Sequence, residues 1–574
     1  MLPARAFLPY SRNGNVAYLI RKIKNMSKTI IGYITKAIKE NWNRMAFSDF
    51  HGVTYQYSDV ARKIAKLHIL FRETGIQKGD KIAFCGKNSS QWATAFLASL
   101  TYGAVPVPLL HEFKPDNLHH LVNHCEARLF FVDHTIWENL DPQKLENLYG
   151  ALLLSDYSLL LSRKAELKYA REHLNELFGK AYPERFTSND VKYDEVQPDD
   201  LAVINYTSGS MGFSKGVMVP YRALASNMQY AIEHLTFLLK GDGMVCMLPL
   251  AHMFGLSIEM LHPFIKGCHI HFLTRVPSPK IIMEAFAIVR PKLIITVPLV
   301  VEKIIKGKVF PMLEKPMMKF LLKVPFVDQK LYAKIKERIT QVFGGQLQEL
   351  IVGGAALNAD VDEFMRRIGF PITVGYGMTE CAPLISYAPW NENKSGACGR
   401  IVDRMEMHIE SSDPETVPGE LWVKGENVML GYFHNQEATD GGMKDGWMNT
   451  GDLCQCDSTG LLYIRGRSKN MILGPSGQNI YPEEIEMRVN NLPFVNESLV
   501  IDEGGKLVAL IYPDFDTAAQ NGVEESDVEN FMRVQVTSLN KDLPAFCQLR
   551  DVKIHNEEFE KTPKRSIKRF LYQH

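Results

Sequence analysis

From about Phe47 to Leu273 the chain alternates short apolar runs with longer amphipathic ones. KIAFCG is followed by SSQWATAFLASLTYG, then by AVPVPL, NLHHLVNHCEA and RLFFVD. Strand-like segments separated by helix-like ones leave few architectures open, and the alternation predicts parallel sheets wrapped by helices. The same rhythm returns at PKLIITVP and LQELIVGG. Near Gly396 the texture changes. MEMHIES, GELWVKG and GLLYIRG are short alternating strands between Pro and Gly turns, which predicts a small β-subdomain over about residues 396–466. After Arg467, YPEEIEMRVNNLP, VNESLVID, KLVALIYP, a helix over about Glu525 to Asn540 and LRDVKIHN predict a compact α+β unit. A chain of 574 residues exceeds what one core usually organises. The expected divisions are a basic extension with a first helix (1–45), a large domain (46–468) and a small one (469–574).

Composition narrows the partners. At 46% hydrophobic, 23% charged and zero formal net charge, the chain reads as a soluble globular protein with no nucleic-acid partner implied. Nine cysteines are scattered, and Cys454 and Cys456 stand too close for a zinc knuckle or a thioredoxin-like motif, so a reducing cytoplasm is expected. KLIITVPLVV is short and broken by Pro298, and no run is long enough to predict a membrane-spanning helix.

Two basic stretches keep peripheral contact with the inner membrane surface open. Met1 to Lys39 carries Arg5, Arg12, Arg21, Lys22, Lys24, Lys28, Lys36 and Lys39 with no acidic residue, and Ile30, Ile31, Ile34 and Ile38 fall at helical spacing. This is either a surface helix after a loose extension, with Met26 as an alternative start, or a basic amphipathic segment resting on anionic lipid. Between Lys303 and Arg338, ten basic residues face Glu314, Asp328 and Glu337, interleaved with PMMKFLLKVPFV. A solvated helix face and a membrane-facing patch both fit that pattern.

The chemistry concentrates in a few short segments. YTSGSMGFSKGV (Tyr206 to Val217) sets small residues ahead of Lys215, which suits a backbone nest for phosphate. It is not the usual ATP loop, because Ser214-Lys215-Gly216 stands where that loop needs Gly-Lys and then Ser or Thr. LAVINY before it reads as a strand, and GVMVPYRALASNMQYAI after it as a strand end and an amphipathic helix. IVGGAAL allows a flat ligand close to the backbone, and VGYGMTE supplies the ring of Tyr376, the hydroxyl of Thr379 and the carboxylate of Glu380. Asp452 in TGDL has acceptor oxygens suited to a ribose, and GRSKN adds Arg467 and Lys469.

Taken in order, YTSGSMGFSKGV, LPLAHMFG, VGGAAL, VGYGMTE, GELWVKGENVMLGYF, TGDL, YIRGRSKN and YPEEIE resemble the adenylate-forming superfamily of acyl-CoA synthetases, luciferases and adenylation domains, from about Ala46 to the C-terminus. LPLAHMFG, and GYGMTE followed by Pro383, look most like the long-chain fatty-acid–CoA ligases. That resemblance implies an α/β fold: a large N-terminal domain of two helix-wrapped sheets with a small β-barrel-like subdomain, then a small mobile α+β C-terminal domain. It implies ATP, Mg²⁺, a medium- or long-chain fatty acid and coenzyme A, with an acyl carrier protein as the alternative acceptor. By motif, Thr207, Ser208, Gly209, Ser210, Gly212 and Lys215 would cradle the β- and γ-phosphates. Gly353, Gly354, Ala355, Tyr376, Gly377 and Met378 would frame adenine, while Asp452 and Arg467 would hold the ribose. Glu380 would bind Mg²⁺ and Thr379 phosphate; His252 would border the carboxylate and pyrophosphate, or else only pack. Lys469 sits at the family's hinge, and Gly477 in GPSGQN would approach the thiol channel.

Two positions depart from the pattern. Met211 stands where most relatives carry a second Thr. In the tail EKTPKRSIKRFLY, Ser566 aligns with the lysine that bridges the attacking carboxylate and the α-phosphate. Losing that contact, worth about 1.5–3 kcal/mol, would slow adenylation roughly ten- to two-hundredfold. Lys564 and Lys568 are the nearby substitutes, and an extended chain puts Lys564 on the side of Ser566. A catalytically impaired nucleotide- or acyl-binding relative is the corresponding alternative.

Overall fold

The computed structural model describes residues 29–207, 214–274, 278–322, 324, 327–474, 478–562 and 567–573. Its first sheet sets Val105–Leu109, Lys81–Cys85, Leu129–Val132 and Gly150–Leu153 side by side and parallel, with Leu159–Ser162 antiparallel at the edge. A second sheet orders Gly243–Cys246, His269–Phe272 and Met45–Asp49 in parallel, followed by antiparallel Thr54–Gln56. Leu293–Thr296, Glu349–Val352 and Ile372–Val374 form a short third parallel sheet. These strands read as continuous apolar runs because both faces are covered. Along Gly243–Cys246, Met244 and Cys246 enter one core and Val245 the other.

Helix Ser90–Tyr102 shows what such a double-sided core demands. All its residues except Tyr102 are buried, so it has no polar face to offer solvent. Its hydroxyls turn back on its own carbonyls: Thr94 donates to Ser90 O at 2.7 Å, Ser99 to Ala95 O at 2.9 Å and Thr101 to Leu97 O at 2.7 Å. Ser89 caps its start, and Gly103 at φ +84° ends it in a left-handed turn that other residues resist.

The first helix, Ile30–Glu40, is capped by Thr29, and Ile30, Ile31, Ile34 and Ile38 are all buried. Its apolar stripe is therefore spent on the core, and this helix does not offer the lipid-facing surface considered from the sequence. No helix among the described residues is long and apolar enough to cross a membrane.

The flanks of the phosphate loop take the form the sequence suggests, a strand before it and a strand then a helix after it. Leu201–Thr207 and Lys215–Pro220 are an antiparallel hairpin with Thr207 opposite Lys215, and helix Tyr221–His234 begins only after the second strand. The described flanks thus place Lys215 at the start of a strand and not at a helix terminus. Gly431–Tyr432 pairs with the outer side of Lys215–Pro220 and ties the β-rich region to this hairpin. That region runs Met405–Glu410, Gly419–Gly425, Trp447–Cys456 and Leu462–Arg467 as antiparallel neighbours.

The last segment has a core of its own. Val495–Glu503 and Lys506–Pro513 form a hairpin joined in parallel by Asp551–Ile554, and Ile485, Val500, Ala509, Met532 and Val552 pack beneath it. Polar contacts link this unit to the rest. Lys306 Nζ donates to Asn491 Oδ1 at 2.7 Å, Asn358 Nδ2 donates to the same oxygen, and Arg465 lies 3.7 Å from Glu484. A polar seam of this kind separates at lower cost than a shared apolar core.

Candidate active site

One cavity of about 2510 Å³ is bordered by every described residue that the sequence put forward. Thr207, Lys215, His252, Gly353, Gly354, Ala355, Tyr376, Gly377, Met378, Thr379, Glu380, Asp452, Arg467 and Lys469 all line it. Ser208, Gly209, Ser210, Met211, Gly212, Gly477, Lys564 and Ser566 lie outside the described residues.

Asp452 is the best-defined group. It is only 4% exposed, on a strand whose register sets it opposite Arg467. Arg467 Nε lies 2.9 Å from Asp452 Oδ1, while the Tyr376 hydroxyl donates to Asp452 Oδ2. Each carboxylate oxygen has a single partner here, which leaves one further acceptor position on each. Burial pushes the Asp452 carboxyl up and the Arg467 guanidinium opposes it. Arg467 is held in turn by its Nη1 donating to Thr450 O at 3.1 Å.

Close approach to the backbone is enforced at two glycines. A Cβ on Gly377 would fall 2.2 Å from Pro383 O, and one on Gly353 would fall 2.9 Å from the Phe254 ring. Neither position accepts a side chain without displacing its neighbours.

Glu380 is 8% exposed in the single turn Thr379–Cys381, and its Oε1 accepts from the Tyr432 hydroxyl at 3.0 Å. The same tyrosine ring carries Lys215 Nζ 4.8 Å from its centre. Tyr432 therefore connects the carboxylate to the lysine. Asn227, fully buried, secures the turn that follows: its Nδ2 donates to Cys381 O at 3.1 Å and its Oδ1 accepts from Leu384 N at 3.0 Å. No group of three or more potential metal ligands occurs among the described residues. A buried carboxylate lining the cavity fits Mg²⁺ nevertheless, since that ion takes few protein ligands and completes its shell with water and substrate phosphates.

Lys469 adds a third cation. Burial pushes its ammonium down, and Arg467 and Lys215 push it further, with Asp452 opposing. Cations gathered at mutual cost in one cleft make a site that an anion relieves.

His252 stands in the turn that leads into a widened helical stretch, Gly255–Leu261. Behind that turn, buried Glu259 accepts from Met247 N at 3.0 Å and Leu248 N at 2.8 Å. Asn88 Nδ2 donates to Leu248 O at 2.7 Å, and its Oδ1 accepts from Leu250 N at 2.9 Å. These two side chains hold LPLAH in place, Glu259 from within the core and Asn88 from the cavity wall. Beyond it the cavity becomes apolar, walled by Met247, Phe254, Ile258, Leu273, Ile282 and Phe286.

At the opposite wall, Lys568 Nζ is engaged by Glu560 Oε1 at 2.6 Å and Arg569 by Glu486 at 2.5 Å. Burial raises the Glu486 carboxyl to about 7, with Arg569 opposing. Lys568 is thus committed to a surface ion pair in this arrangement.

Tyr432, Asn227, Asn88 and Glu259 carried no usable sequence signal. Tyr432 falls inside GELWVKGENVMLGYF, but nothing in that motif marks it out, and the role of each of the four depends on which distant segment folds against it.

The chain matches known proteins over most of its length. The family profile described as AMP-binding enzyme matches residues 34–433, and that of the AMP-binding enzyme C-terminal domain matches 469–573. A long-chain-fatty-acid–CoA ligase of Mycobacterium bovis is 25% identical over 79% of this chain and 76% of its own length. The human long-chain-fatty-acid–CoA ligase 1 is 27% identical over 87% of this chain and 77% of its own. Among solved structures, ATP-bound MatB of Rhodopseudomonas palustris superposes with a TM-score of 0.73 at 22% identity, covering 95% of this chain and 98% of that one.

Proposed function

The chain belongs to the adenylate-forming AMP-binding enzyme family, and from that premise we propose that it joins a medium- or long-chain fatty acid to coenzyme A, releasing pyrophosphate and then AMP. One observation carries this reading: a cavity end lined by Lys215, Glu380, Asp452, Arg467 and Lys469 is continuous with an apolar arm walled by Met247, Ile258, Leu273 and Phe286. A charged nucleotide and a greasy acyl chain can meet there and nowhere more polar.

In the first step a carboxylate oxygen attacks the α-phosphorus of ATP and the bond to the pyrophosphate oxygen breaks. Charge accumulates on an already anionic centre, so the protein contributes positioning and fixed positive potential. Asp452 and Tyr376 orient the nucleoside, Gly353 and Gly377 admit adenine against backbone, and Lys215 with Lys469 faces the departing phosphates. Mg²⁺, when held by Glu380, neutralises phosphate charge. In the second step the coenzyme A sulfur attacks the acyl carbonyl and the C–O bond to AMP breaks; the thiol proton leaves to solvent. The unit 469–574 turns about Lys469 between the steps, a motion favoured by the polar seam at Asn491 and Glu484.

Ser566 favours a second reading, a relative that binds ATP and acyl chain without turnover. Pyrophosphate release measured over acids from acetate and benzoate to palmitate, with and without coenzyme A, separates the two. The proposal expects release that depends on a fatty acid and acyl-CoA when the thiol is present. Nucleotide binding with no pyrophosphate from any acid would support the second reading instead.

A further inference from the structure

Met317 and Phe320, at 71% and 68%, are the most exposed large apolar side chains among the described residues. Both stand on the short helix Pro316–Leu321, beside exposed Lys315 and Lys319. The next helix, Val327–Val342, buries Ile335 and Ile339 and exposes Lys330, Lys334 and Arg338 at four-residue intervals, which is one stripe of its surface. None of these five cations forms an ion pair among the described residues, although ion pairs are frequent elsewhere on the molecule. The same helical run borders the cavity. Leu299, Lys303 and Val342 line it, as does Met283 on the helix packed against Val327–Val342, and these side chains reach solvent.

The protruding Met and Phe are unfavourable in water, and the clustered cations beside them set up a positive potential that attracts an anionic partner. Nucleic acid would relieve the charge but leave the apolar groups exposed; an apolar protein patch would do the reverse. An anionic bilayer satisfies both, with headgroups meeting the lysines and the acyl layer receiving the apolar tips. We propose that Lys315 and the helices Pro316–Leu321 and Val327–Val342 form a docking face for an anionic lipid bilayer, with Met317 and Phe320 entering the acyl layer. The docking is independent of the reaction; only its use, passing a fatty acid from bilayer to cavity, rests on the reading as an acyl ligase.

Co-sedimentation of the full chain with phosphatidylcholine vesicles, and with vesicles containing about one third phosphatidylglycerol, tests the face. The expected result is at least about tenfold stronger partition onto the anionic vesicles, falling as salt is raised. Met317→Ser with Phe320→Ser should weaken that partition at least about tenfold. Lys330→Glu, Lys334→Glu and Arg338→Glu together should remove the preference for anionic lipid. Turnover of a short, water-soluble acid should be unchanged in both variants, so that a failed ligase reading is seen separately from a failed docking face. Equal partition of the apolar variant and the wild type would overturn the proposal, placing any binding in residues 1–28. So would indifference to lipid charge, or self-association abolished by the apolar variant in a chain that ignores vesicles.

Discussion

Replacing Asp452 by Ala tests the nucleoside site most sharply. Asp452 is buried, and its two oxygens are engaged once each, by Tyr376 and by Arg467 at 2.9 Å. One acceptor position per oxygen therefore remains for the 2′- and 3′-hydroxyls of a ribose. A hydrogen bond to a charged group contributes about 1.5–3 kcal/mol, so losing both raises the ATP KM by about 10²- to 10⁴-fold. A general loss of stability would mimic part of this, since the Tyr376 hydroxyl loses its acceptor at about 1–3 kcal/mol. Deoxynucleotides remove the ambiguity. In acid-dependent pyrophosphate release the wild type should discriminate against 2′-deoxy-ATP and 3′-deoxy-ATP by about ten- to two-hundredfold each. Asp452→Ala should treat ATP and both analogues alike. If the variant kept the wild-type discrimination, the carboxylate would not be the ribose acceptor and the orientation of the nucleotide would be wrong.

Three further outcomes are expected. Gly377→Ala drives a methyl group to 2.2 Å from Pro383 O, a backbone atom that cannot step aside, so ATP binding should be lost with a lowered unfolding midpoint; normal binding by calorimetry would contradict the close approach. Fully buried His262 has no hydrogen-bond partner on either ring nitrogen among the described residues, and burial holds it at about 3. The unfolded chain therefore takes up a proton near pH 6.5 that the folded protein refuses, and stability falls with pH, by about 2 kcal/mol at about pH 5. His262→Leu should flatten that dependence in denaturant unfolding between about pH 7.5 and 5, and an unchanged slope would refute the assignment. Lys564→Ala should slow acyl-adenylate formation roughly ten- to two-hundredfold and Lys568→Ala should not. If Lys564→Ala is silent while Lys469→Ala is slow, the third cation of the cleft supplies the charge that Ser566 lacks.

Much of this molecule was legible because local pattern and tertiary demand coincide. KIAFCG, RLFFVD and LIIT are strands buried on both faces, so apolarity alone announces them. Site residues such as Tyr376 and Glu380 sit in a short motif at a strand end, where close backbone approach dictates glycine, and Asp452 follows a glycine within its strand, so both motifs survive in sequence. What escaped notice depends on partners far along the chain. The order KGVMVP, then helix, gave no sign that Gly431–Tyr432 would pair with that strand and bring a phenol between Lys215 and Glu380. Ile30, Ile31, Ile34 and Ile38 showed a true helical stripe, yet spacing cannot say whether lipid or the helix Tyr221–His234 will cover it; the core does. Glu259 reads as a charge within an apolar run, and only the fold reveals two backbone N–H groups that need it.

The most direct test of the account is a crystal structure of the protein with ATP, Mg²⁺ and a fatty acid. It should place the adenine ring beside Gly353 and Tyr376, the ribose on Asp452, the phosphates between Lys215 and Glu380, and the acyl chain along Met247, Ile258 and Phe286. Nucleotide bound away from Asp452 and Lys215, or an acyl chain outside that apolar arm, would contradict it.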